Sequence, residues 1–70
     1  MDKDLLVYYV RRGGKTLEDL AEGIGISTKS LYNKMSGRSD FSATQIRNIA
    51  TFLGIGAKEI CDIFFTGSVE

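Results

Sequence analysis

The sequence predicts an all-α fold, a compact bundle of five short helices in a single domain. Apolar residues recur at intervals of three and four along successive segments, which is the period of a helix with one buried face. Glycine follows the predicted end of each segment, and the chain contains no proline. Seventy residues are enough for one small hydrophobic core, so we expect one domain over residues 1–70.

The first helix is predicted over residues 3–12. Its apolar run, residues 5–10, is short enough to be a strand by periodicity alone. Two aspartates precede the run, Arg11 and Arg12 end it, and two glycines follow. Acidic residues at the start and basic residues at the end stabilise a helix through its dipole, so these flanking residues favour a helix.

The second helix is predicted over residues 17–24. Thr16 has a side chain suited to capping its first turn, where Glu18 and Asp19 are also favourable. Gly25 follows the helix, and glycine readily adopts the positive φ that often ends one. Four apolar residues share one face at helical spacing: Leu17, Leu20, Ala21 and Ile24.

The third helix is predicted over residues 28–36, between a capping Ser27 and Gly37. Ile26 precedes the cap and Leu31 occupies the fourth helical position, so the two can form a hydrophobic staple. Such a staple fixes the direction in which the chain enters the helix. Together with the second helix and the glycine turn, this segment predicts a helix-turn-helix.

The fourth and fifth helices are predicted over residues 43–53 and 57–65. Ser42 and Gln45 form a capping-box pattern at the start of the fourth helix. Two further staples are predicted, Phe41 with Ile46 and Ile55 with Ile60, and Gly54 and Gly67 follow the two helices. The inward-facing residues are predicted to be Ile46, Ile49, Ala50 and Leu53 in the fourth helix, and Ile60, Ile63 and Phe64 in the fifth.

Composition excludes several classes of function. The chain has no histidine and a single cysteine, Cys61, which rules out a histidine-based triad and an internal disulfide and leaves no metal-ligand cluster. No nucleophile and base are placed together, so we expect no enzyme, cofactor or small-molecule ligand. Cys61 is interpreted as a small apolar residue of the core or of an interface. With no signal sequence and no apolar run near the roughly 20 residues that span a bilayer, a cytoplasmic protein is expected.

The charges of the chain balance in total but are unevenly distributed. Nine basic and nine acidic residues give a net charge of zero, which alone argues against a nucleic-acid-binding protein. Residues 23–39, however, contain three basic residues and no acidic one. A second basic group consists of Arg11, Arg12 and Lys15, while Glu18, Asp19 and Glu22 crowd the second helix. The balanced total can therefore hide a positive face, although non-specific affinity for DNA should be weak.

The outward face of the third helix carries side chains suited to reading base edges. With Leu31 towards the core and about 100° per residue, the outward residues are Lys29, Tyr32, Asn33 and Ser36, with Thr28 and Ser30 flanking them in the first turn. Lys29 can donate to guanine, Asn33 can form two hydrogen bonds with adenine, and Thr28 can contact the methyl group of thymine. The alternative is an ordinary solvated face, with Tyr32 packing on the surface.

Phosphate contacts are predicted around this helix. Arg38 lies just beyond its end, and the hydroxyl groups of Thr16 and Ser36 are suited to a phosphate, as are the amides at the start of the second helix. Taken singly, residues such as Arg38 and Arg12 are more often solvated surface charges than ligands.

Residues 16–37 resemble the helix-turn-helix of the Cro/repressor (XRE-like) family of phage and bacterial transcriptional regulators. The similarity lies in Ala21 at a close helix approach, Gly25 at the turn, Leu31 in the core and Ser36-Gly37 at the helix end. It extends beyond this motif to the segment LGIGAKEICDIFF, residues 53–65, and covers about residues 4–65 in all. It implies a lambda-repressor-like five-helix domain that binds palindromic operators in double-stranded DNA as a homodimer. The resemblance places the base contacts at Thr28, Lys29 and Asn33.

Two positions depart from the pattern of that family. Leu17 stands where the family commonly has a glutamine that contacts a phosphate and braces the recognition helix. Lys34 stands where an apolar residue is usual. We expect Met35 to supply the missing packing, with the Lys34 stem along the edge of the core and its amine in water.

Aromatic residues near the end of the chain predict a homodimer. The fifth helix cannot easily bury all its large apolar residues in so small a core, and exposed apolar surface usually marks an interface. We expect a two-fold dimer through this helix and the tail, which would space the recognition helices for half-sites about one turn of DNA apart. The predicted interface residues are Ile63, Phe64 and Phe65, together with Phe52 and Val69. The alternative is that these aromatic residues cap the core.

The sequence thus predicts a sequence-specific DNA-binding regulator, a repressor or Cro-like switch of phage or prophage origin. It would act by occlusion or recruitment at a promoter. The competing prediction is a protein-interaction module of the same fold, such as an antitoxin-like or anti-repressor partner, which the neutral net charge and Leu17 favour.

Overall fold

The computed structural model describes residues 1–65, and these residues form five α-helices and no strand. The helices are α1 (Lys3–Arg12), α2 (Leu17–Ile24), α3 (Thr28–Met35), α4 (Ala43–Leu53) and α5 (Ala57–Phe64). The predicted all-α five-helix bundle is confirmed. α3 and α5 each end one residue before the predicted position, because Ser36 and Phe65 occupy the C-cap positions. The predicted glycine stop at Gly67 lies outside the described residues.

Side-chain caps begin the first four helices. Oxygens of Asp2, Thr16, Ser27 and Ser42 each accept a hydrogen bond from the backbone N–H three residues later, at 3.0–3.1 Å. Asp19 and Gln45 return a bond to the N-cap amides of Thr16 and Ser42, which completes two capping boxes. Each cap satisfies backbone donors that the helix itself leaves unpaired. The predicted caps of the second, third and fourth helices are confirmed.

Left-handed glycines end α2 and α3 and set the path of the chain between them. Gly25 has φ of 80°, and the following N–H of Ile26 donates to the Ala21 carbonyl at 3.0 Å. Gly37 has φ of 91°, and the N–H of Arg38 donates to the Asn33 carbonyl at 3.0 Å. Both are Schellman-type endings, in which a residue with positive φ lets the chain turn back on the last helical carbonyls.

The core lies around α2, which packs against α1, α3 and α4, while α5 closes the bundle against α1 and α4. A short bond of 2.6 Å from the Asp2 amide to the Ile63 carbonyl ties the start of the chain to α5. The buried hydrophobic residues are Leu6, Val10, Leu20, Ala21, Ile24, Leu31, Met35, Ile49 and Ile63. Every helix therefore contributes to a single core.

One close contact joins α2 to α4. A Cβ atom placed on Gly23 would lie 2.5 Å from Cδ1 of Phe52, so the ring of Phe52 lies directly on the backbone of α2. The sequence indicated Ala21 as the close approach of α2, and Ala21 is indeed buried. The tighter approach at Gly23 was not predicted, because glycine at an exposed helical position gives no signal of its neighbour.

Three predicted burial states are wrong or differ in degree. Ile63 is fully buried, so it belongs to the core and offers no side chain to a second copy, contrary to its predicted place at a dimer interface. Cys61 is exposed and forms no disulfide, so it is not the core residue that was one of its two predicted roles; the other, an interface residue, stays a prediction. Leu17 is only half-buried, because it lies in the first turn of α2 at the edge of the core.

No helix within residues 1–65 has both the length and the apolar character needed to cross a membrane. Those residues also contain no group of three or more side chains that could hold a metal ion.

Candidate nucleic-acid interface

α3 is held in the bundle by one face and presents the other to solvent. Leu31 is fully buried and Met35 is 8% exposed, so these two residues anchor the helix. Met35 therefore supplies the packing predicted for it. On the opposite side Lys29 is exposed, Tyr32 is 48% exposed and Asn33 is half-buried. Lys29, Asn33 and Ser36 follow one another at spacings of four and three, which places them along one outward stripe of the helix.

The predicted base contacts are not occupied by bonds within the protein. Among residues 1–65 the side chains of Lys29, Asn33 and Thr28 form no hydrogen bond or ion pair. In the same range the single ion pair joins Lys58 to Asp62, at 3.3 Å on α5. The side chains of Lys29, Asn33 and Thr28 can therefore contact a ligand without first breaking an internal bond. Ser30, the other predicted contact in the first turn, is half-buried.

The hydroxyl groups of Thr16 and Ser36 are already engaged. Ser36 Oγ donates to the Asn33 carbonyl at 2.9 Å, so its proton would have to leave that bond to reach a phosphate. Thr16 Oγ1 accepts the amide of Asp19 at 3.1 Å, and the Thr16 amide donates to Asp19 Oδ2 at 2.9 Å. These local bonds thus use the Ser36 hydroxyl proton and the Thr16 amide, whereas the bond that Thr16 Oγ1 accepts does not use the hydroxyl proton that would contact a phosphate.

The capping carboxylate places a negative charge at the start of α2. Hydrogen bonds from the Thr16 backbone and side chain, with a smaller effect of the Lys15 charge, lower the pKa of Asp19 below its usual value. The carboxylate therefore stays ionised at neutral pH and occupies part of the helix terminus that would attract an anion. The remaining amides of the first turn are the ones left for a phosphate.

A cleft of about 250 Å³ lies beside Tyr32, between α1, α2 and α3. Tyr32 and Thr16, both predicted DNA contacts, line it together. Arg11 and Lys15 from the end of α1 and the following loop line the same cleft, as does Glu18. The structure therefore places two basic residues beside α3 that the sequence located only as a separate group. Their shared position comes from the packing of both α1 and α3 against α2, which periodicity within one helix does not reveal.

The other acidic residues of α2 face a different depression. Asp19 and Glu22 line it with Gly23 and Phe52, on the side where α2 meets α4. The ammonium group of Lys15 lies 5.7 Å from the centre of the Phe52 ring, between the two depressions. Of the three acidic residues in α2, only Glu18 lines the cleft beside Tyr32. The acidic residues of α2 are therefore only partly separated from the basic residues beside α3.

The loop after α3 holds Arg38 in an exposed position, and its side chain makes no bond or ion pair within residues 1–65. The Lys34 stem is half-buried, as predicted. Its Nζ lies at the exposed surface and also donates to the Asp40 carbonyl at 3.0 Å, a bond that the sequence did not predict. The bond forms because the chain turns back after Gly37 and brings that carbonyl within reach of α3.

The predicted dimer residues are divided between two places. Phe64 packs edge-to-face against Phe41, with ring centres 5.3 Å apart, and Phe65 is 55% exposed. Phe52 lies instead against α2, so its burial is explained within one chain. Val69 lies outside the described residues. Phe52 and Phe64 are both half-buried, and Phe65 is the most exposed of the predicted interface residues within residues 1–65.

An aromatic and basic cluster on α1 was missed. The guanidinium group of Arg12 lies 4.7 Å from the centre of the Tyr9 ring and 5.9 Å from that of Tyr8, and the two rings pack edge-to-face. Tyr8 is 54% exposed. The spacing of Arg12, four and three residues after the tyrosines, was the available signal.

Comparison of the chain with protein-family models, with curated proteins and with solved structures gave no match. What this surface binds must therefore be inferred from its own geometry and chemistry.

Proposed function

We propose that this protein is a sequence-specific DNA-binding transcriptional regulator that inserts α3 into the major groove. Lys29, Asn33 and Thr28 would read base edges, and Arg38 would bind a phosphate. The Cro/repressor-like resemblance belongs to this proposal, as does a repressor or Cro-like switch in phage or prophage as the setting. A cytoplasmic location is part of the same proposal.

The observation that carries the proposal is the outward stripe of α3. A short helix follows a three-residue turn, is anchored by two buried residues, and carries Lys29 and Asn33 on its outward side, where their side chains make no hydrogen bond within residues 1–65. A protruding helix of this kind fits the major groove, which is about 12 Å wide. Lysine and asparagine are the residue types that bond guanine and adenine there.

The flanks of α3 support phosphate binding on both sides. Arg38 lies beyond its C-terminal end, and Arg11 and Lys15 lie across the cleft from Tyr32. Contacts of this sort fix the register of a protein on the duplex while the outward stripe reads the bases. Three basic groups imply a modest dependence of affinity on salt, with a slope of roughly 0.9 per phosphate contacted.

A homodimer completes the proposal. Phe64 and Phe65 supply apolar surface at the end of α5, remote in sequence from α3. A two-fold axis through this surface would present two copies of α3 to a palindromic operator. Ile63 takes no part, since it is buried in each protomer.

The test is selection of bound duplexes from a random pool, followed by titration of the winning sequence at several salt concentrations. We expect a two-fold symmetric site and an affinity that falls as salt rises. Recovery of no preferred sequence, with affinity independent of salt, would refute the proposal.

One observation favours a second candidate, a protein-interaction module of the same fold. An apolar groove of about 280 Å³ is lined by Met1, Phe41, Phe64 and Phe65 among others, and the chain has no net charge. A partner protein seated there would bind with little dependence on salt, unlike DNA. The same salt titration therefore separates the two candidates.

A further inference from the structure

The loop between α3 and α4 is fixed on both sides of Arg38. On one side, the Arg38 amide donates to the Asn33 carbonyl at 3.0 Å, within the Schellman-type ending of α3. On the other side, the ammonium group of Lys34 donates to the Asp40 carbonyl at 3.0 Å. Phe41 then packs against Phe64, so the chain is fixed again immediately after the loop. Hydrogen bonds therefore hold the backbone at Arg38 and at Asp40, two residues later.

The bond from Lys34 is unlike the other side-chain bonds of the described chain. Within residues 1–65 every other side-chain hydrogen bond joins residues three or four apart and belongs to a cap or a single helix. The Lys34 bond spans six residues and joins a helix to the loop that follows it. A charged donor makes a stronger hydrogen bond than a neutral one, so this bond is well suited to hold a loop.

Lys34 points away from the stripe that is proposed to read bases. At about 100° per residue it lies about 140° around α3 from Lys29. Its side chain instead lines the apolar groove beside Phe41 and Ile46. A residue in this position acts on DNA through the loop rather than by direct contact with the bases.

We propose that Lys34 is a positioning residue, which holds the loop so that the Arg38 guanidinium reaches a DNA phosphate. This inference rests on the proposed function. Without the bond to Asp40, the loop would sample more conformations, and Arg38 would lose part of its binding free energy to the cost of ordering that segment. The effect is sequence-independent, because phosphate contacts carry no base preference.

The test is a double-mutant cycle on duplex DNA of arbitrary sequence, with the parent, Lys34→Met, Arg38→Ala and the double variant. Methionine keeps a long apolar stem in the groove and removes the donor. We expect Lys34→Met to weaken binding several-fold. It should also reduce the slope of log affinity against log salt concentration by up to about 0.9, the value for one phosphate contact. We expect the double variant to bind no more weakly than Arg38→Ala alone, since Lys34 acts through Arg38.

Lys58→Met is the matched control, because it removes the same charge from an exposed site on α5. Circular dichroism and thermal melting check that each variant is folded, and Lys34→Leu, which also lacks a donor, replaces Lys34→Met if the latter unfolds. Amide hydrogen exchange of residues 36–40 should accelerate in the Lys34 variant and remain unchanged in the Lys58 variant.

Two results would overturn this inference while leaving the proposed function intact. One is additive losses in the cycle, which would mean that Lys34 contacts the phosphate itself. The other is parent-like affinity and loop exchange in Lys34→Met. A parent protein with no salt-dependent binding to DNA would instead overturn the proposed function, and the positioning role with it.

Discussion

Gly23→Ala should destabilise the protein, although alanine is the better helix former. In an exposed helical position this change stabilises by about 1 kcal/mol, because glycine loses more backbone freedom on folding. Here the new Cβ would lie 2.5 Å from Cδ1 and 2.6 Å from Cε1 of Phe52. Ordinary carbon contacts are about 3.5–4.0 Å, so the ring must move by about 1 Å.

Overpacking of this size costs about 1–3 kcal/mol in a well-packed site. Since Phe52 is only half-buried and part of the strain relaxes by ring movement, the expected net effect is a loss of up to about 2 kcal/mol in the free energy of unfolding. Urea unfolding followed by circular dichroism measures this difference. Glu22→Ala, at the neighbouring exposed position of α2, should change stability by less than about 0.5 kcal/mol and serves as the control.

The decisive comparison is the same change in a Phe52→Ala background. Without the ring, Gly23→Ala should become stabilising by about 1 kcal/mol, so the sign of its effect reverses. A Gly23→Ala variant that is more stable than the parent with Phe52 present would refute the reasoning. It would show that the contact between α2 and α4 does not restrict the helix backbone.

Three further predictions concern the site, the core and a cap. In fluorescence anisotropy, Asn33→Ala should cost roughly 1–3 kcal/mol of affinity for the selected operator and relax the preference at one base pair. Arg38→Ala should instead weaken binding to all duplexes alike. Parent-like binding by both variants would mean that the contact face is wrongly assigned. Ile63→Ala should lower the free energy of unfolding by about 2–5 kcal/mol in urea unfolding, and an unchanged value would contradict the burial of Ile63 in the core. If the protein dimerises as proposed, Phe65→Ala should weaken self-association in analytical ultracentrifugation. Asp19 should titrate below its usual pKa in NMR, because its carboxylate accepts bonds from Thr16. Because the pKa is lower in the folded state, Asp19 stabilises the fold above its unfolded pKa of about 3.9, and this stabilisation is lost as the pH falls through the folded pKa. Asp19→Asn should abolish this contribution to the pH dependence of stability. An unshifted titration of Asp19 would show that the cap does not form.

Helix limits were well specified by local residues. Thr16, Ser27 and Ser42 cap through bonds to residues three positions later, and the glycines that end α2 and α3 act through their own φ. Such interactions involve neighbours in sequence, so a single chain reveals them. The outward stripe of α3 was predictable for the same reason, because its members share a face through the pitch of one helix.

Contacts between elements were harder to predict. The pairing of Gly23 with Phe52, and of the Lys34 amine with the Asp40 carbonyl, depends on how two segments approach each other. Neither residue type indicates its partner. Ile63 is a similar case. Periodicity placed it correctly on the inward face of α5, where it is fully buried. It was also assigned to an interface, because the number of large apolar side chains that the core can bury was underestimated.

The amino-acid sequence by itself determined that residues 1–65 form five helices, where each begins and ends to within one residue, and which face of the third helix is polar. These properties follow from periodicity, capping and glycine conformations, all of which act over a few residues. Only the tertiary structure decided which charged groups meet beside α3 and which aromatic residues stay at the surface. Those outcomes depend on the angles at which the helices cross, and such angles are set by the packing of the whole core.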